Sequence, residues 1–176
     1  NKGWSPQEME FTFESPDTAD LYLLQTRDMA IRERKKVLTF DFDEQIKAMY
    51  LGHGIGVSGG AMSGRLVFNL EEIEKWRSQE PDTFLILARA DTVPDDIREI
   101  HAADGLLTAR GGLTSHAAVV AHRLGKTCVV GCNDLICDER HKSCSFNQVL
   151  LKPGSHISID GQEGSVFKGL IKVKET

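Results

Sequence analysis

Long apolar runs are missing from this chain of 176 residues. Runs such as Phe84 to Ala88 and Cys128 to Gly131 fall far short of the ~20 residues that a spanning helix needs, so no membrane partner is expected. Positive charge is not in excess either. The 21 Lys and Arg against 26 Asp and Glu leave a formal net charge of −5, and the cluster Arg32, Arg34, Lys35, Lys36 is short. Such a balance makes nucleic acid a poor partner. The four cysteines stand at irregular spacing, which argues against a disulfide scaffold and for reduced thiols, and no secretory signal opens the chain; a cytoplasmic location is expected. Internal repeats and low-complexity tracts are absent. So is an initiating methionine: the chain begins at Asn1, and a longer parent protein is the expectation.

What is present suffices for a real core. A hydrophobic content of 40% in a chain of this size supports one domain plus an appendage. "MEFTF" at 9–13 and "LYLLQ" at 21–25 have the aromatic and aliphatic density of strands, and the turn-like "ESPDTAD" between them predicts a hairpin. The charged "TRDMAIRERKKV" that follows predicts a solvated helix or linker, with a boundary between Arg27 and Lys47. From Arg65 onward the pattern alternates. Strands are predicted at 65–68, 84–89, 105–108 and 127–130, and helices at 70–79, 94–103 and 115–124, an order that signals an α/β fold with a partly parallel sheet. Near the C-terminus, "HISID" and "SVFKG" separated by "GQEG" predict a closing hairpin.

Two motifs point to functions that their contexts do not support. Gly54, Gly56 and Gly59 in "GIGVSG" satisfy the spacing of a dinucleotide-binding turn, but no strand precedes them and no helix follows; a tight, irregular approach to a sheet is the expectation. Cys128, Cys132, Cys137 and Cys144, with His141 among them, lack the paired short spacings of a zinc site, and Cys128 falls in a predicted buried strand. Buried or unpaired thiols are expected there. His53, His101, His141 and His156 are isolated and receive no role.

The segment "GGLTSHAAVVAHRLGK" carries more. Ala117, Val120, Ala121 and Leu124 recur at helical spacing and predict the face packed on the sheet, while Gly125 supplies the stop. Thr114 or Ser115 is a suitable N-cap. His116 then falls in the first turn, beside unsatisfied N–H groups and the positive end of the helix dipole. A neutral imidazole is a competent nucleophile toward phosphorus, and helix-end amides hold the charge that results. Gly111 and Gly112 allow close approach, Arg110 and Arg123 carry charge to neutralise phosphoryl oxygens, and Thr114 has a hydroxyl to orient ring or phosphate. The residues by themselves leave two readings open: a phosphocarrier, or an ordinary capped helix bearing an exposed histidine.

"GLLTARGGLTSHAAVVAHRLGKTCVVGC" closely resembles the phosphohistidine segment of the phosphoenolpyruvate-utilising enzymes. Within that family, "TSH" before the helix, "GGLTSHAAVVA" through it and the cysteines flanking "VVG" resemble the dikinases that act on pyruvate and phosphate more than the synthases or sugar-phosphotransferase enzyme I. "GIGVSGGAMSGRLVF", "ILARADTVPDDIREIHAADGLLT" and "LKPGSHISIDGQEGSVFKG" extend the similarity over residues 51–170. The resemblance implies a swivelling β/β/α phosphohistidine domain at 51–176, reached through a linker at 37–50. It implies that His116 is the catalytic carrier, that Arg110, Gly111, Gly112, Thr114 and Ser115 stabilise the phosphate, and that Thr114 is a regulatory phosphorylation site.

"EFTFESPDTADLYLLQTR" resembles the last strands of the family's ATP-grasp domain, so 1–36 is expected to be the C-terminal remnant of one, with Glu10, Gln25 and Arg27 as metal- and phosphate-facing groups. Magnesium is expected in neighbouring domains and none in this chain. The implied partners are the ATP-grasp domain, a pyruvate-binding barrel beyond Thr176, and pyruvate or phosphoenolpyruvate. The implied function is delivery of an ATP-derived phosphoryl group to pyruvate by a dikinase-like phosphotransferase, and this chain alone is not expected to turn over. The alternatives are the same carrier in a phosphoenolpyruvate synthase or antibiotic phosphotransferase, or a non-catalytic module that keeps the fold. Nothing in the sequence assigns an oligomeric state. One departure stands out: where the family carries arginine after "VVA", this chain has His122, and Arg123 follows.

Overall fold

A computed structural model describes residues 7–13, 21–28 and 37–175. The chain divides into two compact units, Asn1–Lys35 and Lys36–Thr176. In the first, β1 (Gln7–Phe13) pairs antiparallel with β2 (Leu21–Asp28), and the register slips by one residue after Glu10. The expected hairpin strands are therefore present, and Thr26–Asp28, expected in a charged helix or linker, instead continue β2. The turn expected at 14–20 and the remaining charged stretch at 29–36 lie outside the described residues.

The second unit opens with β3 (Leu38–Phe40), α1 (Glu44–Met49), β4 (Tyr50–His53), β5 (Ile55–Ser58) and β6 (Ala61–Val67). Then come α2 (Leu70–Gln79), β7 (Leu85–Arg89), a 3₁₀ turn at Pro94–Asp96, α3 (Ile97–Ala102), β8 (Gly105–Thr108), α4 (His116–Leu124) and β9 (Thr127–Val130). Three short strands follow, β10 (Leu135–Asp138), β11 (Ser143–Phe146) and β12 (Val149–Leu151), and the chain closes with β13 (His156–Asp160), β14 (Ser165–Lys168) and β15 (Val173–Glu175). Among the described residues no helix is long and apolar enough to cross a membrane.

The main sheet runs β4-β14-β13-β6-β7-β8-β9-β5, parallel from β6 to β9 and antiparallel elsewhere. Its two edge strands, β4 and β5, are separated in sequence by Gly54 alone. Two Cα–Cα steps span at most ~7.6 Å, so the edges must meet, and the sheet curls on itself. Side chains alternate across it accordingly. Leu66, Ile86, Leu107, Val129 and Ile159 join the inner core with Phe146 and Leu151, whereas Val67, Leu87, Leu106 and Val130 face outward onto Ile73 of α2, Ile100 of α3 and Ala117 and Ala121 of α4. Burial on both faces explains why the parallel strands are continuously apolar.

Local chemistry fixes the helix ends. Asn69 accepts from the Glu72 N–H (2.9 Å) while the Glu72 carboxylate accepts from the Phe68 N–H (2.8 Å), a reciprocal cap that starts α2 at the expected residue. The expected helix at 94–103 begins instead as a 3₁₀ turn, in which the Asp96 carboxylate accepts from the Val93 N–H (2.8 Å) and from buried Arg89 (3.3 Å). Residues 37–50, expected as a linker, are structured: Phe40 and Ile46 share a core with Ala61, Phe167 and Ile171, and the Phe40 ring meets that of Phe167 edge-on at 5.4 Å. The glycine-rich stretch expected to be irregular forms the two edge strands β4 and β5.

The closure rests on Gly164. The Gly54 N–H donates to its carbonyl (2.9 Å), its φ is +78°, and a side-chain carbon there would run into the Gly54 carbonyl. Gly164→Ala should combine left-handed strain with overpacking and destabilise the chain by about 2–4 kcal/mol, measured by urea denaturation.

Candidate functional site

The loop joining β8 to α4 leaves the C-terminal end of a parallel strand, where open α/β sheets expose their sites. Its base is tied on both sides. Toward β7, the N–H groups of Ala109 and Arg110 donate to the carbonyls of Arg89 (3.1 Å) and Ala90 (2.9 Å); toward β9, the Cys132 N–H donates to Thr108 O (3.0 Å). Thr108, fully buried, donates its hydroxyl to Arg110 O at 2.6 Å. Four consecutive bonds thus set the direction in which the chain departs.

Beyond Arg110 the loop turns through Gly111, whose φ of +102° favours glycine and whose Cβ, if it had one, would press on the Ser115 side chain at 3.0 Å. Gly112 faces open space and its carbonyl accepts from the Ser115 N–H (3.0 Å). Of the two expected N-caps it is Ser115 that serves. Its backbone is extended and its Oγ accepts from the Ala118 N–H (3.3 Å), which makes His116 the first residue of α4. The N–H groups of His116 and Ala117, at the first two helical positions, have no intrahelical acceptor. His116, Thr114 and Arg110 are all exposed around this helix end, and Gly125 closes the far end in the left-handed conformation at φ +65°.

The residues expected at the site are therefore contiguous in space from Arg110 to His116. The packed face of α4 is not quite the expected one. Ala117, Ala118 and Ala121 are buried and Val120 half-buried, but Leu124 is 36% exposed. Leu124 lies only about 20° around the helix from buried Ala117, but it is the last residue of α4 and its side chain stays largely outside the core, while Ala118 enters it. Arg123 follows His116 by seven residues, which places it ~20° around the helix and ~10 Å along it, on the stripe of His116. With His122 it lines a shallow groove together with Val57, Leu113, Ala118 and Val119.

Glu10 and Gln25, in the other unit, are register partners across β1 and β2, and both are exposed; the backbone of Arg27 stands opposite that of Glu8 in the same register. A carboxylate and an amide on neighbouring strands offer two hard oxygen ligands, the type that magnesium takes, with its remaining positions left to water and phosphate. Among the described residues no group of three or more His, Cys, Asp or Glu is gathered to hold a metal by itself. Cys128, Cys132, Cys137 and Cys144 are free thiols, and burial pushes Cys128 up to about 12. His141, expected to be isolated, bonds Asp138 through Nδ1 at 2.6 Å and so holds that carboxyl below its usual range. Sequence reasoning missed this hairpin clasp, although the i, i+3 pairing of an aspartate with a histidine was legible.

Comparison with known proteins adds three findings. The family described as PEP-utilising enzyme, mobile domain, matches residues 82–164, a span that contains the whole β8–α4 loop. Pyruvate, phosphate dikinase 1 of Arabidopsis thaliana chloroplasts is 47% identical over 116 residues, covering 66% of this chain and 12% of that protein; the pyruvate, phosphate dikinase of Clostridium symbiosum is 32% identical, covering 96% and 22%. The chain thus spans about a fifth or less of the length of most of these relatives. A solution structure of Enzyme I is similar over 52% of this chain and 32% of its own, at 25% identity and a TM-score of 0.35.

Because Ser115 rather than Thr114 caps α4, the two hydroxyls should separate in a stability measurement. Ser115→Ala is expected to destabilise by ~1 kcal/mol in urea denaturation and Thr114→Ala by less than half of that.

Proposed function

This chain belongs to the phosphoenolpyruvate-utilising enzymes, carrying their mobile domain, and on that premise we propose that it is the central phosphocarrier of a pyruvate, phosphate dikinase, with His116 as the carrier. The observation that supports this most directly is the place of His116: exposed, first in a capped helix, within the segment shared with the family. An unprotonated ring nitrogen attacks a phosphorus atom of the ATP-derived donor. The N–P bond forms as the bond to the departing AMP oxygen breaks, and the terminal phosphoryl group then passes to inorganic phosphate, which leaves as pyrophosphate, so that one phosphoryl group stays on the ring. In the second half, the enolate oxygen of pyruvate attacks the same phosphorus, the N–P bond breaks and the imidazole is returned, with phosphoenolpyruvate as product. The free N–H groups of His116 and Ala117 face the charge that the carried group brings, Arg110 and Arg123 offset it from the surface, and Gly111 and Gly112 leave the approach open.

Partners follow from the same reading. Donor and acceptor sites belong to an ATP-grasp domain, of which β1 and β2 are the terminal hairpin, and to a pyruvate-binding barrel. Magnesium, when bound beside Glu10 and Gln25, supplies charge neutralisation for the nucleotide phosphates. The alternative acceptors, those of a synthase or an antibiotic phosphotransferase, use the same step at His116 and differ only in the neighbouring domain.

In a complete dikinase carrying this domain, labelled phosphoenolpyruvate should deposit acid-labile, base-stable label on the protein, and His116→Asn should abolish it while the circular dichroism is kept. Label retained at the parental rate in that variant means that another residue is the carrier. Thr114→Glu, which sets a negative charge two residues before His116, should lower the labelling rate at least tenfold without unfolding the domain; a fully active variant removes Thr114 as a control point.

A further inference from the structure

Outside the histidine loop, one cluster of nucleophiles has no role in the proposed transfer. Cys137 on β10 and Cys144 on β11 are register partners in the antiparallel hairpin. Directly opposed residues of such a pair stand with their Cα atoms about 4.5 or 5.5 Å apart, and either value falls within the range of roughly 4.4–6.8 Å that a disulfide bridges. As directly opposed residues, the two point their side chains to the same face of the hairpin, and each thiol shifts the titration of the other. From this arrangement we propose that Cys137 and Cys144 form a reversible redox pair, a modification site at which peroxide converts the two thiols to a disulfide.

The two sulfurs are not equivalent. Cys137 is half-buried and therefore reachable, whereas Cys144 is 2% exposed. The interaction with Cys144 lowers the Cys137 thiol from its ordinary range against burial and the Glu139 carboxylate, which raise it, and the same interaction together with burial raises Cys144. Cys137 is thus the nucleophile and Cys144 the resolving thiol. In the first step the Cys137 thiolate takes one oxygen from hydrogen peroxide, giving a sulfenic acid and hydroxide. In the second, the Cys144 sulfur attacks the Cys137 sulfur, the S–O bond breaks, and water leaves with the Cys144 proton. Peroxide is reduced by two electrons and the dithiol is oxidised by two. A disulfide between directly opposed strand residues closes a short loop and belongs to the easily reduced class, so a thiol reductant reverses it.

The pair lies close to the histidine loop. The hairpin turn carries Glu139, whose carboxylate accepts from the Ala90 N–H (3.2 Å), and the Ala90 carbonyl in turn accepts from the Arg110 N–H (2.9 Å). Cys137 thus lies two residues from Glu139, which is itself two hydrogen bonds from the segment that leads to His116. The chemistry itself stands independently of the carrier function.

Arg140 and Lys142 lie between the two cysteines, so trypsin separates them unless a disulfide holds the peptides together. The folded, reduced chain is treated with hydrogen peroxide, alkylated with N-ethylmaleimide and digested without reductant. The expected product is the peptide Thr127–Arg140 joined to the peptide beginning at Ser143, two hydrogens lighter than the separate thiols, with fragmentation placing the bond on Cys137 rather than Cys128 or Cys132. Dithiothreitol should release it, and in Cys144→Ser the sulfenic acid should persist on Cys137 and be captured by dimedone. Peptides that stay separate while the wild-type chain keeps its circular dichroism overturn the assignment. A bond to Cys128 or Cys132, or one joining two chains, does the same.

Discussion

The constraint on which the second unit depends is the single residue between its edge strands. With only Gly54 separating β4 from β5, an eight-stranded sheet has no choice but to bring its edges together, and a curled sheet has an inside and an outside with different needs. The inside fills with large aliphatic and aromatic side chains, capped by the β10–β12 hairpins through Phe146 and Leu151. The outside of the parallel stretch must be covered, and α2, α3 and α4 do so. Placement of α4 is a consequence of this closure. It packs on β8, β9 and β5, so the N-terminus of the helix sits at the C-terminal rim of the parallel strands.

From that rim the loop is held at its base and free of packing at its end. Backbone bonds to the β7 and β9 extensions fix residues 108–110, and the Ser115 cap fixes the helix start, while Leu113 between them is 63% exposed. The alanines at 117, 118 and 121 contribute by being small. They let α4 lie close to the sheet, and a larger side chain at any of them would lift the helix and move His116 with it.

How far the sequence foretold this differs from element to element, for physical reasons. The strands at 105–108 and 127–130 and the helix at 70–79 were legible, as was the helix expected at 115–124 and found one residue later at its start, because burial, period and caps agree there. The edge strands β4 and β5 were not, since Gly52, Gly54 and Gly56 give strands no propensity; they are glycines because side chains would strike Phe146, the Val130 carbonyl and the Gln162 carbonyl. Missing too were β10 to β12, whose two turns use three non-glycine residues with positive φ, Lys142 at +48° in the first and Asn147 and Gln148 at +47° and +69° in the second. Such a turn has no strong sequence signature without Asn-Gly. The linker expected at 37–50 became strand and helix through contacts with Phe167 and Ile171, residues over a hundred positions away that no local pattern connects to it. At the candidate site the order was reversed: cap, first-turn histidine and glycine stop are local features, so nearly all of them were readable, and what escaped was which hydroxyl caps and that Leu124 stays largely outside the core.

The proposed chemistry sets a further requirement on this geometry. A carried phosphoryl group has to be stable enough to travel and labile enough to leave. Around His116 every favourable charge lies on the surface: Arg110 and Arg123 are exposed, as is the histidine itself. Exposed ion pairs contribute ~0–1 kcal/mol each and a helix end about 0.3–1 kcal/mol, far less than a buried, fully paired anion would gain. The domain alone therefore leaves the group close to its intrinsic transfer potential. On the proposed reading, exclusion of water and the larger part of transition-state stabilisation fall to the active site that receives the loop, beside which Leu113 and Val119 are exposed.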